Sequence, residues 1–134
     1  SPSRPRTTTR DLEGVIAMKF LVILNDAPYG TERTYNGLRL AANLLSKIEG
    51  AHITVFLMGD AVGSAKAEQR TPNGYYNVER MLKGLLGRKG EVLLCGTCMD
   101  ARGITETEIV AGSRRSTLDE LTEKTASADK VLVF

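Results

Sequence analysis

The only two cysteines of this chain, Cys95 and Cys98, lie three residues apart at the end of a short apolar run, EVLLC. Such a pair could form a redox couple, ligate a metal or carry sulfur. If the segment after Cys95 begins a helix, its free amides point toward the sulfur, lower the thiol pKa and favour the nucleophilic thiolate. Arg102 could add positive charge to the same pocket. The alternative is that Cys95 is a small buried hydrophobic residue.

A metal site receives little support from the sequence. Zinc takes three or four protein ligands, and the single histidine, His52, would have to be one of them. His52 opens one predicted strand whereas Cys95 closes another, so the two residues lie at opposite edges of a parallel sheet. We therefore predict no metal and no cofactor, and interpret His52 as a strand-edge residue.

The sequence also lacks the motifs of nucleotide-binding proteins and of thioredoxins. GDAVGSAK has neither the spacing nor the final hydroxyl of a Walker loop, and no G-x-G-x-x-G follows the first apolar run. Thioredoxins need a proline downstream that faces their cysteines, but the last proline here is Pro72.

The composition describes an ordinary globular chain of 134 residues, enough for one domain. A net charge of +2 is too balanced to favour nucleic acid as a partner. No apolar run is long enough for a bilayer, and no signal-peptide pattern is present. Two cysteines without a secretion signal favour a reducing, cytoplasmic location.

The elements that must position the cysteines alternate between strand and helix. Residues 1–17 are predicted to be a flexible extension or a cloning remnant, and 18–134 to form the domain. The patterns predict strands at 18–24, 52–58, 91–95, near 108–110 and at 130–134, and helices at 31–48 (with Thr31 as N-cap), 61–69, 78–86 and 117–127. Continuous apolar strands between helices indicate an α/β fold, a three-layer α/β/α sandwich with a mainly parallel sheet of about five strands.

Ligands of such sheets bind where the strands end. The loops after the first three strands should therefore converge around Cys95. This placement makes Tyr29, Asp60 and Tyr76 candidate pocket walls.

Five segments, taken together, resemble the DsrE/DsrF-like sulfur-relay family, in its YchN-like branch: NDAPYGTERTYNGLRLA, FLMGDAV, GYYNVERML, LCGTCMDARGI and SADKVLVF. They follow in the same order from Met18 to Phe134. The resemblance implies a parallel α/β sheet, assembly into trimers or hexamers, and a persulfide-carrying cysteine after the third strand. By its distance from the Arg102–Gly103 pair, that cysteine is Cys95. Cys98 matches a second cysteine of the branch.

The hypothesis is a sulfur-transfer protein in which Cys95 takes sulfur from a donor persulfide and passes it to an acceptor thiol. Donor and acceptor would be proteins or small thiols. Gly96 and the following amides would stabilise the sulfur anion, and Arg102 could add positive charge. Asp100 is a further supporting residue of the pocket. Two alternatives stay open: a dithiol/disulfide redox protein that uses Cys95 and Cys98, and a non-enzymatic oligomeric scaffold that binds a small ligand.

Overall fold

Five parallel strands form a single sheet in the computed structural model, which describes residues 14–134. The strands are β1 (Met18–Leu24), β2 (Ala51–Leu57), β3 (Glu91–Cys95), β4 (Arg114–Ser116) and β5 (Lys130–Val133). Their order across the sheet is β4-β3-β2-β1-β5. The predicted parallel sheet of about five strands is confirmed. The predicted extension lies largely outside the described residues, which include only its last four, 14–17.

Helices cover both faces of the sheet. They are α1 (Arg33–Lys47), α2 (Val78–Gly87), α3 (Gly96–Ala101) and α4 (Leu118–Ser127), with 3₁₀ turns at Gly59–Ala65 and Glu106–Glu108. Leu38 of α1 and Leu82 of α2 are fully buried against one face. On the other face, Leu121 of α4 packs on Leu21, Phe56 and Leu93. The molecule is therefore the three-layer α/β/α sandwich that the apolar pattern predicts.

Side-chain caps explain where two of the helices begin. Asn77 accepts a hydrogen bond from the backbone N–H of Arg80, and Thr117 accepts one from Glu120. Each cap satisfies a free amide of the first turn and contributes about 1 kcal/mol. The starts predicted for α2 and α4 are thus correct within one residue.

Three local predictions are wrong. No strand forms at 108–110, where Glu108 ends a 3₁₀ turn and Ile109 makes only an isolated bridge to Lys66. The fourth strand is instead β4, whose Arg114 pairs with Glu91 and Glu120. Thr31 does not cap α1: its hydroxyl donates to Asp26, and Glu32 takes the cap position without a side-chain bond. The helix expected at 61–69 is the 3₁₀ turn Gly59–Ala65.

Among residues 14–134, no helix combines the length and the apolar character needed to cross a bilayer.

Candidate functional site

Cys95 ends β3 and directly precedes α3, at the edge where the parallel strands finish. His52 lies near the start of β2, paired with Lys19, and therefore at the opposite edge as predicted. Met99 of α3 is fully buried in the core, so the short helix is anchored beneath the cysteine. The fold thus holds Cys95 at the end of a buried strand while leaving its side chain partly exposed.

The Cys95 sulfur is surrounded by hydrogen-bond donors. The backbone N–H of Cys98 lies 3.4 Å from it, and the Thr97 hydroxyl oxygen lies 3.3 Å from it. Burial alone would raise the pKa of the Cys95 thiol. The hydrogen bonds from Cys98 and Thr97 outweigh that effect, and the pKa is lowered. A lowered pKa increases the thiolate fraction, and thiolate is the nucleophilic form.

Cys98 has the opposite character. Burial raises the pKa of its thiol, and the hydrogen bond and charge of Cys95 raise it further. The Gly59 backbone and the charge of Arg102 oppose this shift without cancelling it. Both thiols are free. The pair therefore consists of one activated sulfur and one that is held protonated beside it.

The cation next to Cys95 is Arg115, a residue that the sequence analysis missed. A Cβ atom on Gly96 would lie 2.8–3.0 Å from three guanidinium atoms of Arg115, so only glycine lets this side chain lie against the backbone there. Asp100 accepts two hydrogen bonds from Arg115, at 2.7 and 2.8 Å. The charge of Cys95 helps to raise the pKa of Arg115, behind the larger effect of Asp100. Asp100 thus supports the site by holding this arginine.

Arg102 lies on the Cys98 side of the pair, which corrects the expectation that it charges the Cys95 pocket. Its Nε and Nη2 donate to one carboxylate oxygen of Asp60 at 2.9 and 2.8 Å. Its Nη1 donates to the Cys98 carbonyl at 3.0 Å. Asp60 and Arg102 therefore fix the backbone of the second cysteine.

A cavity of about 490 Å³ opens onto both thiols. Apolar side chains form much of its wall, with Arg115 and three hydroxyl residues beside them. The lining residues are Phe56, Met58, Cys95, Gly96, Thr97, Cys98, Arg115, Ser116, Thr117 and Leu118. Phe56, Met58 and Cys95 all pack with the cluster beneath α4, so the cavity opens on that face of the sheet.

Tyr29, Asp60 and Tyr76 were expected to line this cavity, but none of the three does. All four tyrosines of the chain join one ring cluster, in which Tyr76 lies 4.3 Å from Tyr35, 4.6 Å from Tyr75 and 5.5 Å from Tyr29 between ring centroids. The Tyr29 hydroxyl donates to Gln69 and accepts from the backbone of Val78. These tyrosines therefore stabilise the loop that precedes α2.

Metal chemistry gains no structural support. Across the described range, no three His, Cys, Asp or Glu side chains are grouped closely enough to hold a metal ion. His52 lines a separate cavity of about 560 Å³ at the other edge of the sheet, together with Lys19, Lys89 and Lys124. What the Cys95 arrangement can do is present a stabilised thiolate, beside a guanidinium, to a small electrophile or to another sulfur.

Comparison with known proteins agrees with this fold. A family model described as the DsrE/DsrF-like family matches residues 18–134. "Protein YchN" of Escherichia coli (strain K12) is 41% identical over 116 residues, covering 87% of this chain and 98% of that protein. "Uncharacterized protein MJ0989" of Methanocaldococcus jannaschii is 37% identical over 117 residues, covering 87% and 100%. The crystal structure of the E. coli ychN protein superposes with a TM-score of 0.82 at 40% identity, covering 87% of this chain and 99% of that one.

Proposed function

The chain belongs to the DsrE/DsrF-like family, and from that premise we propose that it is a sulfur-transfer protein whose Cys95 carries sulfur as a persulfide. The family suggests a role of the sulfur-relay type. One observation supports the finer proposal: a thiol of lowered pKa lies partly exposed in a cavity, with its sulfur 3.4 Å from a backbone amide.

The proposed reaction has two thiol-exchange steps. The Cys95 thiolate attacks the outer sulfur of a donor persulfide, a new S–S bond forms at Cys95, and the donor thiolate leaves. An acceptor thiolate then attacks the outer sulfur of the loaded Cys95, and the Cys95 thiolate leaves. Exchange of this kind depends on the thiolate fraction and on access to the sulfur.

The surroundings of Cys95 suit both steps. The Cys98 amide and the Thr97 hydroxyl stabilise the anion before attack and again when Cys95 leaves. Arg115, held by Asp100, supplies positive charge beside the same sulfur. Apolar residues such as Phe56 line the cavity beside the sulfur.

Partners and assembly are part of the same proposal. The donor and the acceptor are a persulfide and a thiol, on proteins or on small molecules. The expected trimer or hexamer has apolar surface available near the site: the side chain of Leu118, which lines the cavity, is 69% exposed. Sedimentation of the whole chain would contradict the assembly if it showed only monomers at micromolar concentration.

Two variants that each keep one cysteine test the carrier role. Cys98→Ser retains Cys95, and Cys95→Ser retains Cys98. Each is incubated with a low-molecular-weight persulfide, and the intact mass is recorded without reductant. We expect the Cys98→Ser protein to gain one sulfur atom and the Cys95→Ser protein to gain none.

Other results would overturn the proposal. Equal gain in both variants would remove the special role of Cys95. No gain in either variant, with no loss of hydrogens from the wild type on mild oxidation, would favour the non-enzymatic scaffold. If the wild type never gains sulfur but loses two hydrogens on mild oxidation, and neither variant loads, the simple dithiol redox protein is favoured.

A further inference from the structure

The carrier mechanism does not use the second thiol, although that thiol lies next to the first. The Cys98 N–H donates directly to the Cys95 sulfur at 3.4 Å, and both side chains line the same cavity. Arg102 holds the Cys98 carbonyl at 3.0 Å and is itself held by Asp60. The two cysteine side chains also hydrogen-bond to each other, so the Cys98 thiol lies against the sulfur that becomes the inner sulfur of a persulfide on Cys95.

The two thiols also differ in the property that decides which of them attacks first. The pKa of Cys98 is raised, by burial above all, while the pKa of Cys95 is lowered. Cys98 therefore stays protonated and does not compete for the donor's sulfur. Once deprotonated, a thiol of higher pKa is the stronger nucleophile, because nucleophilicity falls as the pKa falls.

We propose that Cys98 discharges the sulfur carried by Cys95 as hydrosulfide, an inference that rests on the proposed carrier function. The Cys98 thiolate, formed by loss of its proton to water, attacks the inner sulfur of the Cys95 persulfide. A bond forms between the two cysteine sulfurs, and the bond between inner and outer sulfur breaks. Its electron pair leaves with the outer sulfur as HS⁻.

Electrons balance within the chain. The carried sulfur is reduced to sulfide while Cys95 and Cys98 are oxidised to a disulfide. A low-molecular-weight dithiol, acting as external reductant, then restores both thiols. The protein would accordingly act as a sulfide-releasing carrier as well as a donor to acceptor thiols.

The geometry favours attack on the inner sulfur over capture of the outer one. Cys95 is the N-cap residue of α3 and Cys98 lies in the first turn of that helix, so the two side chains are neighbours. The side-chain hydrogen bond of Cys98 is to the sulfur of Cys95 itself. Capture of the outer sulfur by Cys98 would instead yield no sulfide and no disulfide.

The test loads three proteins with a low-molecular-weight persulfide: wild type, Cys98→Ser and Cys95→Ser. After rapid desalting, free sulfide is trapped with a bimane reagent, and the intact mass is followed without reductant. We expect the wild type to release one sulfide per loaded chain and to lose two hydrogens relative to the reduced protein. The loaded form of Cys98→Ser should last about a hundredfold longer, or more, than that of the wild type, because a neighbouring thiol acts at a high effective concentration.

Controls separate this inference from the function on which it rests. Far-ultraviolet circular dichroism checks that each variant is folded. If Cys98→Ser loads and the wild type releases its sulfide just as slowly as that variant does, the inference is overturned and the carrier function stands. Failure of Cys98→Ser to load overturns the carrier itself. Release that slows on dilution of the loaded wild type shows attack between molecules, and also overturns the inference.

Discussion

Replacing Cys98 by alanine or by serine isolates the effect of its side chain on the Cys95 thiolate. Both variants keep Cys95 as the only thiol of the chain, and both keep the backbone N–H that lies 3.4 Å from its sulfur. Serine retains a donor at the position of the Cys98 thiol, whereas alanine removes it. The hydrogen bond from the Cys98 side chain lowers the pKa of Cys95. The alanine variant should therefore have the higher Cys95 pKa.

The difference in Cys95 pKa between the two variants depends on the strength of the Cys98 hydrogen bond and on how far Cys95 is exposed to solvent. A hydrogen bond to a charged group is worth about 1.5–3 kcal/mol when it is well buried. Cys95 is only partly buried, so solvent reduces that value to roughly 0.5–1 kcal/mol. This corresponds to about a two- to fivefold difference in thiolate population at a fixed pH below the titration midpoint.

The assay is the rate of Cys95 alkylation by iodoacetamide as a function of pH, with thiolate absorbance as a second measurement. The midpoint of the alanine variant should lie at higher pH than that of the serine variant. Each profile is recorded beside a circular dichroism spectrum, so that loss of structure is recognised. Coincident midpoints, or a lower midpoint for alanine, would refute the assignment of Cys98 as a donor to Cys95.

Three further predictions address the support of the site. Gly96→Ala places a Cβ within 3.0 Å of the Arg115 guanidinium. This variant should slow the alkylation of Cys95 at neutral pH as much as Arg115→Gln does. Additive losses of alkylation rate in the double variant would contradict this prediction. Met99 is fully buried, so Met99→Ala should lower the free energy of unfolding, measured in urea, by about 2–5 kcal/mol. Met99→Leu should lower it by less than about 1.5 kcal/mol. Equal losses in the two variants would show that Met99 does not anchor α3 through its volume. The hydrogen bond from Arg114 lowers the pKa of Glu120 from 4.5 to about 2. Because the pKa of Glu120 is lower in the folded state, this stabilisation is present above pH 4.5 and is lost between pH 4.5 and 2. Glu120→Gln should therefore lose less stability than the parent protein over that range. Parallel losses of stability in the two proteins would refute the linkage.

Cys95 shows what residue order alone can determine. A strand that is buried on both faces is a continuous apolar run, and VLLC, which follows Glu91, is one. Parallel strands end at one edge, so a cysteine that closes such a run lies at the ligand-binding edge, and a histidine that opens another lies opposite. These predictions depend only on local pattern and on the geometry of parallel sheets. They were therefore available from the sequence.

The electrostatics of the site depend on contacts that no local pattern records. Arg115 belongs to a three-residue edge strand of sequence RRS, which carries no apolar signal because an edge strand buries little surface. Its position beside Gly96 follows from the pairing of β4 with β3. Arg102 was expected near Cys95, but it pairs with Asp60, 42 residues away in sequence. Such pairings are set by which loops the completed sheet brings together.

Sequence by itself therefore determined the layered fold, the edge at which the candidate site lies and the cysteine that is placed there. Tertiary structure alone decided which arginine accompanies Cys95, which one holds Cys98, and that Tyr29 and Tyr76 lie in a separate ring cluster. The physical reason is the range of the interactions involved. Hydrophobic periodicity is local and repeats along each element, whereas a guanidinium finds its carboxylate only after the strands have paired.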